Sequence, residues 1–393
     1  MFTLSGLNAL AALSIDMSLP AQPTLATAFH VSAETAALNL SLFMLAFAFA
    51  QVFVGYLSDA IGRRPVMVAG LVVFTVAAVA CSLSPTIEVL LVCRALQGAG
   101  SAACTVVSRA MVRDTQPAAQ AARLLSTMLA VFAIAPMIAP TIGSALLDWF
   151  GWRAVFVGLV ATGAFMLTFT HASLNETLPP ERRTVATFAG FVRGYRMFFS
   201  TRGTRLPILI SCASFAGLFA YVAGSPFVLM QGYGVAAEHY GLYFALTAIA
   251  IMFGSITGGR MLRAGRSPGV MILIGASIQL VAGAIVVACA AFDLFGLAGF
   301  VGPICLYFFG SGITGPSATA LAMEPLPQLA GTASSAVGSL TMISGSISGY
   351  WTTRIGGSTA LVFAIVIGTM SAVVFLLAAL AAYLRRQKQQ ESR

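Results

Sequence analysis

Apolar residues run through the chain in stretches of about twenty, punctuated by glycine, proline and short charged clusters, the pattern expected of bilayer-spanning helices. The runs predict spans at 2–26, 35–57, 66–83, 87–110, 125–147 and 153–174, then at 206–229, 240–261, 270–290, 295–321, 331–353 and 359–384. The longest hydrophilic stretch, residues 175–205, separates the two sets of six. It holds Pro179-Pro180, Arg182-Arg183 and an aromatic-basic segment from Phe188 to Phe199, which reads as a linker helix on the membrane surface. The expected organisation is a six-helix bundle over 1–174, a linker over 175–205, a second bundle over 206–384 and a tail over 385–393.

Composition supports a membrane protein. Of 393 residues 59% are hydrophobic and 8% charged, where a soluble domain carries about a quarter charged residues. A dozen spans use the whole length, leaving no room for a soluble enzyme domain. The net charge of +9 does not point to nucleic acid, because the 21 basic residues sit in short clusters between the runs. Eighteen fall on one side of the predicted spans, including Arg63, Arg64, Arg109, Arg113, Arg123 and the six arginines of the linker; Arg153 and Arg354 fall on the other. The positive-inside rule then places both termini in the cytoplasm. The first charge in the chain is Asp16, so the opening run reads as a retained helix and not a cleaved signal peptide. Six cysteines lie in apolar runs without C-x-x-C spacing, and no metal site or cofactor is expected.

One half of the chain echoes the other. Gly55, Gly62, Arg63 and Pro65 of the loop after helix 2 map onto Gly258, Gly265, Arg266 and Pro268 after helix 8 at a constant shift of 203 residues. A duplicated six-helix unit suits an all-α membrane protein of two bundles around a central cavity, rocking between two access states.

These loops also carry a resemblance. The sequence Gly55-Tyr-Leu-Ser-Asp59-Ala-Ile-Gly62-Arg63-Arg64-Pro65 is similar to the G-x-L-x-D-x-x-G-R-R-P signature of the major facilitator superfamily. Arg94-Ala-Leu-Gln97-Gly98 in helix 4 resembles its R-x-x-Q-G motif, and Ala135-Pro136 with Ala139-Pro140-Thr-Ile-Gly143 in helix 5 resembles the proline-glycine motif of its antiporters. With Ser14-Ile-Asp16-Met-Ser-Leu-Pro20 in helix 1 and Ala330-Gly331-Thr332-Ala333-Ser334 before helix 11, the chain resembles the Bcr/CflA branch, drug:proton antiporters of the bicyclomycin and chloramphenicol resistance type. Two positions depart from the motifs: Ala60 stands where the loop usually has a basic residue, and Ala139 where many antiporters have glycine.

Asp16 is the candidate proton carrier, since an acid inside an apolar helix is costly unless it has a function. Arg94 is the only cation well inside a predicted span rather than at its end, and it lies at about the same depth. Two roles fit it: biasing the protonation of Asp16, directly or through water, or tying helix 4 to a neighbour's carbonyls. Asn8, Asn39, Phe43, Gln51 and Gln97 are candidate cavity residues in the first half, and Phe215, Phe219, Tyr221, Tyr307 and Phe308 in the second. Pro136, Pro140 and Gly143 permit helix 5 to bend. Gly55 permits close packing, and Asp59 can accept from a helix N-terminus or pair with Arg63. The resemblance implies that Gly55, Asp59, Gly62, Arg63 and Arg64 form a latch that opens for inward access. It also implies that the small residues at Gly254 and Gly258 in helix 8 pack against helix 5.

The resulting expectation is a monomeric inner-membrane exporter of small amphipathic drugs in exchange for protons, with lipid as its surroundings and no nucleic acid partner. A facilitator-fold transporter of a metabolite, whether importer or exporter, shares most of these features. An intramembrane enzyme is the remaining rival, but Gly275-Ala-Ser277 has no histidine after His239 to serve as its base, and no H-E-x-x-H or Walker motif occurs.

Overall fold

The computed structural model describes residues 2–183, 188–325, 330–356 and 359–391, and among these the regular structure is entirely helical. Arg393, one of the eighteen basic residues counted above, lies outside them.

The first predicted span is broken in two. Helix α1 covers Phe2–Met17 and α2 covers Gln22–Ala28. Pro20, which offers no backbone N–H, stands in the intervening turn, and Pro23 starts the second piece where its missing donor costs nothing. Helix α3 (Ala33–Ile61) begins at Ser32, whose Oγ accepts from the Thr35 N–H, and stops at Gly62, whose φ of +111° suits only glycine. Helices α4 (Arg63–Ser82), α5 (Ile87–Thr115), α6 (Ala118–Phe150) and α7 (Trp152–Ser173) follow. Helix α5 runs past the expected limit of residue 110, so Arg113 is a helical rather than a loop residue.

After a short 3-10 turn at Pro180–Arg182 come α8 (Phe188–Ser200) and α9 (Arg202–Pro226), which continues into a π-helical turn at Phe227–Gly232. Helices α10 (Ala237–Arg263), α11 (Pro268–Ala291), α12 (Gly296–Met323), α13 (Ala330–Gly356) and α14 (Ala360–Glu391) complete the chain. By length and composition, nine of the described helices can each cross a membrane.

The chain divides into two compact units, Met1–Val192 with Ala236–Phe244, and Arg193–Val235 with Ala245–Arg393. In the first, α5 is the hub, packed on α1, α3 and α4, while α1 also lies along α6 and α4 along α7. In the second, α9 packs on α12, α13 and α14, and α11 on α12 and α14. The repeat read from the sequence has a backbone counterpart, because Gly62 and Gly265 both take positive φ at equivalent helix ends.

Glycines set the helix spacing. A methyl group at Gly98 of α5 would overlap the Phe43 carbonyl of α3, and one at Gly143 of α6 would overlap the Met17 carbonyl at the end of α1. Gly254 of α10 is pressed in the same way on the Phe309 carbonyl of α12, and Gly258 lies near Ile313 of α12. Both glycines thus meet α12 within the second unit. Gly241, near the start of α10, lies against Thr141 of α6 and belongs with the first unit. Gly55, expected to allow a close approach, has only Val106 Cγ1 within reach, 3.8 Å from where a Cβ would stand.

Candidate functional site

Asp16 lies one residue before the end of α1 and is 5% exposed. Ala9, Ala12 and Leu13 of α1 pack with Val131, Phe132 and Ala135 of α6. Asp16 follows those three at i+7, i+4 and i+3, so it continues the stripe that faces α6. One residue later, the Met17 carbonyl fills the space left by Gly143. Between Ala135 and Gly143 stand Pro136 and Pro140, neither of which has an N–H, so the carbonyls of Phe132 and Pro136 lack their helical donors. The acid is thus level with backbone acceptors that the helix leaves uncommitted. A protonated carboxyl is a donor for such acceptors, whereas an ionised one is not. Among the described residues no hydrogen bond or ion pair reaches the Asp16 side chain.

Arg94 is fully buried in α5. Its Nε donates to the Asn39 carbonyl at 3.4 Å. One terminal nitrogen donates to Ser14 Oγ at 2.9 Å and Gln97 Oε1 at 2.6 Å, and the other to the Ser14 carbonyl at 3.4 Å and Ser18 Oγ at 3.3 Å. The group also lies over the Phe43 ring, 4.5 Å from its centroid. All five N–H donors are therefore spent on neutral acceptors. Ser14 of α1 and Ser18, in the turn just past the helix end, lie on one side, while Asp16 projects about 200° away from Ser14 around the helix. Direct pairing of Arg94 with Asp16, one of the forms expected from the sequence, does not occur for that reason.

The other candidates of the first unit separate into ties and open polar groups. Asn8 accepts from Arg109 Nε at 2.8 Å and donates to the Met128 carbonyl at 3.4 Å, which binds α1 to α5 and α6. Phe43, expected as cavity wall, is enclosed in the seam between α3 and α5 beneath Arg94. Gln51 is half-buried on α3. The Asn39 side-chain amide and Gln97 Nε2, by contrast, are buried with no hydrogen-bond partner among the described residues. Such groups are costly unless water or a ligand meets them.

The candidate latch is built around the break between α3 and α4. Arg63 pairs with Asp59 and, through Nε at 2.8 Å, with Asp114 at the end of α5; it also donates to Ser58 Oγ at 2.7 Å. Of the two roles open to Asp59 the structure shows the arginine pair. The helix N-terminus goes to Glu176, which the sequence reading passed over. Its Oε1 accepts from the Arg63 N–H at 3.0 Å and from Thr177 and Leu178 N–H at 2.9 Å each, and its Oε2 from the Arg64 N–H at 3.1 Å. Partial burial works against that charge, but these four backbone donors hold the Glu176 carboxyl below the usual glutamate range. Arg64 also reaches the His171 carbonyl. Gly62 is doubly required, since a side chain there would be strained and would strike Glu176.

In the second unit the aromatic candidates pack against other aromatic rings. Phe215 stacks on Phe219 with centroids 4.6 Å apart, and Tyr221 meets Phe308 edge-on at 5.2 Å and Phe363 at 6.2 Å. Tyr307 packs on Phe308, its buried hydroxyl lying over Gly217 with no hydrogen-bond partner among the described residues. Tyr221, Tyr307 and Phe308 are thus enclosed within the unit, and Phe215 alone of the five is half-exposed. A polar network also crosses this unit: Ser214 bridges Gln279 and Ser311, and Gln279 donates to Thr314 Oγ1 at 2.9 Å.

Comparison with known proteins fits this arrangement. The chain is 29% identical over 354 residues to a bicyclomycin resistance protein homolog of Haemophilus influenzae, covering 88% of this chain and 87% of that one. It is 30% identical over 337 residues to a chloramphenicol resistance protein of Pseudomonas aeruginosa, covering 84% and 76%. Its fold matches the crystal structure of a D-xylose-proton symporter with a TM-score of 0.78 over 97% of this chain and 96% of the other, at 15% identity. The sequence pattern of the Major Facilitator Superfamily matches residues 4–349, and this multi-pass membrane protein belongs to that family.

Proposed function

We propose that the chain exports small amphipathic drug-like molecules, of the bicyclomycin or chloramphenicol type, in exchange for protons by alternating access. The observation that carries this reading is Asp16, a buried carboxyl with no counter-charge among the described residues, level with the proline-bearing segment of α6. An ionised acid in such a place is costly, so proton binding and release change its interactions with α6 and bias the helix end at Gly143. Drug and proton then stabilise different access states, and their fluxes become coupled. Arg94 positions α1 for this step through Ser14 and Ser18.

The relatives named for bicyclomycin and chloramphenicol resistance support the substrate class. The likeness to the xylose symporter speaks to fold alone. The excess of basic residues on one side supports an inner-membrane protein with both termini in the cytoplasm, its bundles over 1–174 and 206–384 joined by the linker over 175–205.

The decisive experiment is drug-driven proton release from purified protein, wild type beside Asp16→Asn. Wild type should release protons on drug addition and the variant should not. Normal release from the variant would remove Asp16 as the carrier.

A further inference from the structure

We propose that α8 is a docking surface for anionic lipid headgroups, held on the second unit. From Arg182 to Arg205 the chain has six arginines and no acidic residue. Within this stretch described side chains of α8 form three bands around the helix. Phe198 is fully buried in a cluster with Ile208, Ala322, Ala333, Ala336 and Val337, and Tyr195 packs beside it with its hydroxyl 3.0 Å from Ser335 Oγ. These two residues fix one edge of the helix to α9, α12 and α13.

The next band is bare. Val192 and Phe199, seven residues apart and within about 20° of each other around the helix, are each 46% exposed. Beyond them come Arg196 and then Arg193, both exposed, with exposed Arg205 just after the helix. Among the described residues no carboxylate pairs with Arg193, Arg196 or Arg205, although Arg205 Nε reaches the Phe199 carbonyl at 3.4 Å.

A protein-anchored edge, a bare apolar edge and an unneutralised guanidinium edge, in that order, match a helix lying in the headgroup region. The apolar band enters the acyl boundary and the arginines meet phosphates. The positive-inside rule accounts for arginines on this side of the membrane. It does not account for aromatic and aliphatic side chains left uncovered beside them, or for a complete lack of acids across the segment. The arginines therefore take their counter-charge from outside the protein, and a bilayer containing acidic lipid supplies it in the plane where the apolar band needs cover.

The test is a contact measurement, independent of transport. The photo-reactive residue benzoylphenylalanine replaces Phe199 in the full-length protein, which is placed in nanodiscs of phosphatidylcholine with 30% phosphatidylglycerol. After illumination the adducts are identified by mass spectrometry. The ratio of phosphatidylglycerol to phosphatidylcholine adducts should exceed the bulk ratio several-fold, on the order of five-fold for each arginine engaged. High salt or the pair Arg193→Gln with Arg196→Gln should return it to the bulk ratio, while millimolar inorganic phosphate should not compete. Adducts at the bulk ratio with the arginines intact, adducts to a second copy or another protein, or competition by free phosphate would each overturn the proposal. None of these outcomes bears on proton-coupled export, which is read from proton release.

Discussion

Arg94 of α5 holds Ser14 of α1 by two hydrogen bonds, one to the side chain and one to the backbone, and so grips the helix on the side opposite Asp16. The arrangement is specific to a guanidinium, which offers five donors in a planar fork, while an ammonium offers three from one point. Arg94→Lys should therefore behave much like Arg94→Ala. Both leave Ser14, Ser18, Asn39 or Gln97 without a donor in a buried place, at a cost on the order of 3 kcal/mol. The expected result is a lower melting temperature and loss of drug efflux in both variants, read by thermal denaturation and by drug accumulation in cells. If the lysine variant keeps full efflux, the charge and not the fork is what matters.

The glycines offer a graded series. Gly143→Ala and Gly98→Ala force a methyl group onto a carbonyl oxygen of a neighbouring helix, and backbone cannot move aside as a flexible side chain can. Overpacking of this kind costs about 1–3 kcal/mol. Gly55→Ala meets only Val106 at ordinary contact distance and should change the melting temperature little. Stability similar in all three variants would contradict the tight approach of α1 to α6 and of α3 to α5.

Tyr307 separates packing from substrate contact. Its buried hydroxyl has no partner among the described residues, so Tyr307→Phe removes an unsatisfied group and should leave stability unchanged or raise it by up to about 1 kcal/mol. A hydroxyl used by a bound drug would show itself differently, as a weaker apparent affinity in efflux assays with no loss of stability. Unchanged affinity would place Tyr307 with the packing residues of the second unit.

The sequence made the fold legible because membrane spans are long, apolar and separated by charge, and because the loops after helices 2 and 8 repeat each other. Asp16 and Arg94 stood out for the same reason, as charges where none is cheap. What lay beyond reach was direction. Nothing in the spacing of residues 14 to 18 says that Arg94 chooses the two serines and not the acid between them, since that depends on how α5 is rotated against α1. Phe43 and Tyr307 read as cavity candidates by type, yet burial against a neighbouring helix claims both. Glu176 was hidden by its position. An acid just after an apolar span is common, and its task of capping α4 arises only when residues more than a hundred apart in sequence are brought together.

That cap makes a prediction about pH. Glu176 accepts four backbone N–H groups in its ionised form, and its carboxyl titrates below the ordinary glutamate value of about 4.3. A group whose folded value is depressed contributes stability that is fully present above the unfolded value and is lost as pH falls through the folded one. Wild type should therefore exceed Glu176→Gln in melting temperature by a constant margin from about pH 5 upward, with the margin shrinking in more acidic buffer. The side chain is only partly buried, so solvent screens it, and the margin should match a helix cap, about 1 kcal/mol. Glu176→Ala, which keeps no acceptor, should lose more, and amide exchange at Arg63 and Arg64 should quicken in both variants. A margin that stays constant down to pH 3.5, or amides at the start of α4 that exchange as in wild type, would show that the carboxylate does not hold this helix end.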